Sequence, residues 1–123
     1  ANACGHDHPK HYSTARDLAV LTEVALKNRI FSEQVKLVDA SIATLGGRSF
    51  YLENKNALIG RYPGAVGVKT GYTLKAGKCL IALAEQDGIQ ALLVLLNAPN
   101  RWWDAEAMFT EAFRWTKKGN PQP

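Results

Sequence analysis

No apolar stretch in this chain reaches the length of a membrane-spanning helix, and the longest candidates are strand-sized. The opening residues, ANACGHDHPK, have no apolar core and do not read as a signal peptide. No run of Lys and Arg is interleaved with aromatics, which leaves nucleic acid without support as a partner. Cysteine is scarce: Cys4 and Cys79 alone do not make a small-scaffold disulfide framework. Cys79 sits in an apolar run and is expected as a buried free thiol, and whether it meets Cys4 stays open. Internal repeats and internal linkers are also missing. The charge excess is slight, +4 from 15 basic and 11 acidic residues, and is spread along the chain as a solvated surface would be.

What is present is the composition of one ordinary domain: 123 residues, 46% apolar and 21% charged. A helix begins after Ser13 or Thr14, with Asp17 three residues beyond Thr14 as a capping box wants. Leu18, Leu21 and Ala25 recur on one face, with Val20 and Val24 beside them, and Asn28 is expected to end the helix. FSEQVKL adds a short helical turn. The period then changes to two. DASIATLGGRSFYLEN reads as a hairpin around Gly46-Gly47, and KNALIGRYPG as a loop. AVGVKTGYT, KCLIALAEQ and IQALLVLLN read as strands, the last two joined by the tight turn Asp87-Gly88. IQALLVLLN is apolar almost throughout, so both of its faces are expected to be covered. RWWDAEAMFTEAFRWT closes as an amphipathic helix with Ala105, Met108, Phe109, Ala112, Phe113 and Trp115 on a broad apolar face. The order predicts an α+β fold: an antiparallel sheet flanked by helices.

Within AVGVKTGYT stands Lys69-Thr70-Gly71. On an extended strand Val66, Val68 and Thr70 share one side, and Gly67, Lys69 and Gly71 the other. Gly71 lets a ligand backbone lie close. The Lys69 ammonium supplies positive potential and the Thr70 hydroxyl can donate to a carboxylate. Such an edge suits a peptide with a free C-terminus, held by strand addition. The tripeptide alone is also what an ordinary edge strand with a Lys and a turn glycine looks like.

Its context is more specific. Asn2 and Gly5 followed by His11-Tyr12-Ser13-Thr14-Ala15 resemble the turn and helix start after the second active-site motif of D-alanyl-D-alanine carboxypeptidases, the low-molecular-weight penicillin-binding protein family. LIGRYPGAVGVKTGYTLKAGKCLIALAEQDG is similar to that family's third-motif strand and the strand after it, and APNRWWDAEAMFTEAFRW to its closing helix. The resemblance runs in register through nearly the whole chain. It implies the C-terminal half of a beta-lactamase/transpeptidase-like domain over residues 1–116, with a tail over 117–123. It also implies serine acyl transfer on the D-Ala-D-Ala end of peptidoglycan stem peptides, or on a β-lactam, in an exported periplasmic or cell-envelope protein whose front end has been removed. By that resemblance Lys69 orients protons and substrate, Thr70 binds the terminal carboxylate, and Gly71 leads to the Tyr72 backbone N–H of the oxyanion hole. Arg101 then assists with the carboxylate. No cofactor and no metal is implied.

Two of the family's three motifs are missing. Three residues after Ser13, Ser32, Ser41 and Ser49 stand Arg16, Val35, Thr44 and Leu52, so no Ser-x-x-Lys exists. Two residues after them stand Ala15, Gln34, Ala43 and Tyr51, so Ser-x-Asn fails as well. The chain alone is therefore expected to be inactive, with its partner either an N-terminal half carrying Ser-x-x-Lys or a second copy exchanging elements. The rival is a non-catalytic half-domain that binds peptidoglycan ends or a partner. A third reading is metal binding by Cys4, His6, Asp7, His8 and His11, against the plainer one of a polar loop. His11 matches the family's helix start, whereas Cys4 and His6 depart from it. Trp102 and Trp103 are expected to divide, one on the sheet and one half exposed. Arg61-Tyr62-Pro63-Gly64 reads as the turn before the motif strand.

Overall fold

The computed structural model describes residues 1–119. Helix α1 (Ala15–Leu26) starts as its cap directs, with the Thr14 Oγ1 accepting the Asp17 N–H at 3.1 Å. Asn28 does not end α1, which stops at Leu26. Its Oδ1 instead accepts the Phe31 N–H at 3.2 Å and caps a separate helix, α2 (Arg29–Gln34), which begins ahead of FSEQVKL. Strands β1 (Asp39–Ala43) and β2 (Ser49–Glu53) form the hairpin around Gly46-Gly47, with Ile42 opposite Phe50. Strands β3 (Ala65–Thr73), β4 (Gly77–Gln86) and β5 (Ile89–Leu95) follow as an antiparallel sheet of order β3-β4-β5, and α3 (Arg101–Lys117) closes the chain.

The strands make two sheets rather than one. Among the described residues the hairpin pairs only with itself, and nearly every residue in it is exposed on both faces. The larger sheet carries the core. Ala105, Phe109 and Phe113 recur every four residues on α3 and bury themselves against Leu80, Ala82 and Ala84 of β4 and Leu58 of the preceding loop. Tyr62 adds its ring to Phe109, centroids 5.5 Å apart, and Ile89, Ala91, Leu93 and Leu95 lean on the same cluster from β5.

Three expected apolar faces are wider than what covers them. Strand β5 is half-buried rather than enclosed, because α3 covers its odd positions while α1 alone lies against it elsewhere. On α1 the inward residues are Leu18, Ala19, Thr22, Ala25 and Leu26; Leu21 is 62% exposed, and Val20 and Val24 also face outward. Thr22 takes the central buried place, its hydroxyl donating to the Leu18 carbonyl at 2.6 Å. On α3, Met108, Ala112 and Trp115 are exposed. With β5 they line an open groove of about 650 Å³. Of the tail expected over 117–123, Lys117 still belongs to α3, and residues 120–123 lie outside the described residues.

Candidate functional site

The strand that carries Lys69-Thr70-Gly71 is an edge. β3 pairs with β4 and, among the described residues, with nothing beyond it. Its alternation holds from Val68 onward: Val68 and Thr70 stand opposite Ala82 and Leu80, on the face packed by α3. Lys69 and Gly71 stand opposite Ile81 and Cys79 on the other face. The expected place of Val66 in this pattern is lost, because the register shifts between Ala65 and Gly67. Gly67 there packs against Val35, leaving no room for a side chain without a shift of that valine.

Lys69, Gly71 and Tyr72 are exposed and Thr70 is half-exposed. The Lys69 ammonium folds back to donate to the Thr70 carbonyl. The Thr70 hydroxyl makes no hydrogen bond among the described residues, so its donor is available at the edge. Nothing in the chain's own packing calls for a glycine at 71. Its φ is not positive, and a Cβ placed there meets only the Cβ of Cys79, at an ordinary 3.7 Å. The missing side chain leaves space that the protein itself does not use.

Arg101 reaches this strand from the start of α3, thirty residues away in sequence. Its Nη1 donates to the Gly71 carbonyl at 2.8 Å and to the Cys79 carbonyl at 3.0 Å. The guanidinium lies 4.5 Å from the centroid of the Trp102 ring. Trp102 is half-buried on the core, and Trp103 is exposed with Arg61 over its ring at 4.9 Å. Arg61 also pairs with Glu106 at 2.8 Å, so the turn before β3 is tied to α3.

The N-terminal turn docks at the far end of the same strand. The Thr73 hydroxyl donates to Asp7 Oδ1 at 2.8 Å, and Asn2 closes the turn through reciprocal bonds with His6 at 2.9 and 3.0 Å. His11 Nδ1 accepts the Asn2 N–H at 3.2 Å. Asp7 entered the sequence reading only as a metal candidate; no spacing signal pairs it with a residue 66 positions away. Among the described residues no three His, Cys, Asp or Glu side chains gather as a metal site. Cys4 is exposed, and Cys79 is half-buried rather than buried; both are free thiols.

The assembled site is therefore an open shelf. It has an unpaired strand edge, a lysine and a free hydroxyl on it, an arginine behind it, and a polar turn at one end. Deeper concavities lie elsewhere, in the groove along β5 and in a basic hollow of about 510 Å³ beside Tyr62, Arg114 and Lys117. The shelf can bind an extended peptide and its charge. The sequence contains no Ser-x-x-Lys to supply an activated serine.

Residues 1–100 match the family described as D-alanyl-D-alanine carboxypeptidase. The chain is 35% identical over 97 residues to the D-alanyl-D-alanine carboxypeptidase DacF of Bacillus subtilis, covering 79% of this chain and 25% of that protein. It is 31% identical over 107 residues to DacB2 of Mycobacterium tuberculosis, covering 82% and 36%. In structure it is similar to the Streptomyces K15 DD-transpeptidase, with TM-score 0.80, 31% identity, and 87% of this chain covered against 44% of that one. Penicillin-binding protein D2 of Listeria monocytogenes, solved in an ampicillin-bound form, matches with TM-score 0.76 and 29% identity over 92% of this chain and 47% of that one. The chain thus spans less than half the length of each of these relatives.

Proposed function

The chain belongs to the D-alanyl-D-alanine carboxypeptidase family, and on that premise we propose that it supplies the substrate-gripping side of a serine-type carboxypeptidase acting on peptidoglycan stem peptides. One observation carries the reading: Lys69-Thr70-Gly71 lies on an open sheet edge, in a sequence with no Ser-x-x-Lys. A stem peptide ending in D-Ala-D-Ala, or a β-lactam that resembles one, lies along β3 as an added strand. The Thr70 hydroxyl donates to the terminal carboxylate, with Arg101 adding positive charge from behind. The Lys69 ammonium orients the proton that moves between the attacking serine and the leaving amine. The Tyr72 N–H meets the oxyanion of the tetrahedral intermediate.

The serine and its lysine come from the part of the catalytic domain that the relatives possess and this chain does not span. That part is the proposed occupant of the uncovered faces: the groove between β5 and α3, the free edge of β5, and the outward Val20, Leu21 and Val24 of α1. The substrate places the complete protein in the cell envelope; no helix among the described residues is long and apolar enough to cross a membrane.

Fluorescent penicillin tests the proposal. The pure chain is expected to form no covalent adduct, because loss of a serine nucleophile costs on the order of a million-fold in turnover. Mixed with a segment carrying Ser-x-x-Lys and Ser-x-Asn, it is expected to give a stoichiometric adduct and a heterodimer by light scattering. An acyl adduct on the pure chain sinks the proposal. A stable homodimer indifferent to the added segment assigns the uncovered faces to a second copy. Saturable peptide binding with no turnover in the mixture favours the non-catalytic half-domain.

A further inference from the structure

We propose that Arg101 is a positioning residue for the backbone N–H of Tyr72. The inference deepens the carboxypeptidase reading above, in which that N–H meets the oxyanion.

The ladder fixes which way each peptide points. On β4, the Lys78 carbonyl accepts the Ala98 N–H at 2.8 Å on the β5 side, whereas the Glu85 N–H donates to the Gly64 carbonyl at 2.8 Å on the β3 side. Odd-numbered β4 residues therefore turn their backbone groups toward β3. Cys79 is one of them and stands opposite Gly71, so the N–H and C=O of Gly71 point inward to β4. One residue on, the N–H and C=O of Tyr72 point outward, off the free edge. The Gly71 carbonyl and the Tyr72 N–H are the two ends of one rigid peptide plane.

Arg101 holds the inner end of that plane. Both hydrogens of Nη1 are engaged, one on Gly71 O at 2.8 Å and one on Cys79 O at 3.0 Å. Nε is buried without a partner, and the guanidinium is stacked on Trp102. A cation on the carbonyl draws electron density toward it and makes the opposite N–H a stronger donor, by about 10–30% per bond in a chain of hydrogen bonds. It also stops the plane from tilting, so the outer N–H need not reorganise when charge develops. Any direct contact of Arg101 with a carboxylate is left to Nη2. The side chain therefore acts on the oxyanion through the peptide.

The test is the Tyr72 amide resonance of the ¹⁵N-labelled chain, compared in the parent, Arg101→Lys and Arg101→Gln. The proton is expected to move upfield in Arg101→Gln and less far in Arg101→Lys, which keeps the charge, while Phe109 and Phe113 stay in place. An unmoved Tyr72 amide in a folded Arg101→Gln overturns the proposal. Equal shifts at Tyr72 and Phe109 also overturn it, because they mark a mere anchor for α3. If Arg101→Gln does not fold, Arg101→Lys decides alone by the same two criteria. In the complemented enzyme, Arg101→Lys is expected to slow acylation by a β-lactam about tenfold, since loss of a whole oxyanion donor costs about 10²–10³. A complemented enzyme that takes no β-lactam at all counts against the carboxypeptidase reading, and the Tyr72 amide still decides the role of Arg101.

Discussion

Replacing Gly71 by alanine separates a glycine that a fold needs from one that a ligand needs. Inside the protein the new methyl meets a single neighbour, the Cβ of Cys79 at 3.7 Å, and no positive φ has to be given up. Glycine in a strand interior is roughly 0.5–1 kcal/mol less favourable than alanine. Gly71→Ala is therefore expected to leave stability unchanged or to raise it within that range, which for a chain of this size is up to about 2–5 °C in melting temperature. Outside the protein the effect is opposite. A ligand that touches both the Lys69 ammonium and the outward Tyr72 N–H passes over the Cα of residue 71. One misplaced methyl in such a contact costs about 1–3 kcal/mol, roughly 10–200-fold in affinity. The assay pairs scanning calorimetry of the chain with titration of a peptide ending in D-Ala-D-Ala, and of its C-terminally amidated control. A fall in melting temperature of more than about 4 °C refutes the reasoning, because the glycine is then structural. Full retention of affinity refutes it as well.

Two further outcomes follow from the packing and the charges. Phe109→Ala removes the largest fully buried side chain, at the centre of the only core that holds α3 on the sheet among the described residues, and is expected to lose about 3–5 kcal/mol in urea unfolding; a loss under about 1 kcal/mol would show that α3 is held by something else. The Tyr51 phenol holds its proton above the ordinary value of 10.0, chiefly because of the Asp39 carboxylate, with Glu53 adding to it. A raised acid binds its proton more tightly when folded, so this contribution to stability is complete below pH 10 and is lost as pH rises through the folded value. A tyrosinate absorbance titration is expected to lose a component that rises above pH 10 in Tyr51→Phe, and an unchanged curve contradicts the assignment.

Much of this protein can be read locally. Thr14 caps α1, Gly46-Gly47 and Asp87-Gly88 turn their hairpins, and β3 to β5 follow in the expected order, because caps and tight turns are decided by a few neighbouring residues. Lys69, Thr70 and Gly71 announce themselves by spacing, and their alternation survives folding for the same reason. Yet local pattern misjudged Val66, since a register shift is set by the partner strand, and it misjudged Leu21 and Met108, since apolar periodicity says which residues need cover and not which receive it.

The sequence by itself determined which chemistry is on hand, a strand with an ammonium, a hydroxyl and a glycine, and which is missing, a serine paired with a lysine. Only the tertiary structure decided that this strand is an edge and that Arg101 grips its peptide from behind. It also decided that Asp7 closes one end, and that two sheets form where one was expected. The physical reason is distance along the chain. Contacts such as Arg101 with Gly71, or Asp7 with Thr73, arise from the packing of separate elements, and no period or cap in either segment records the other.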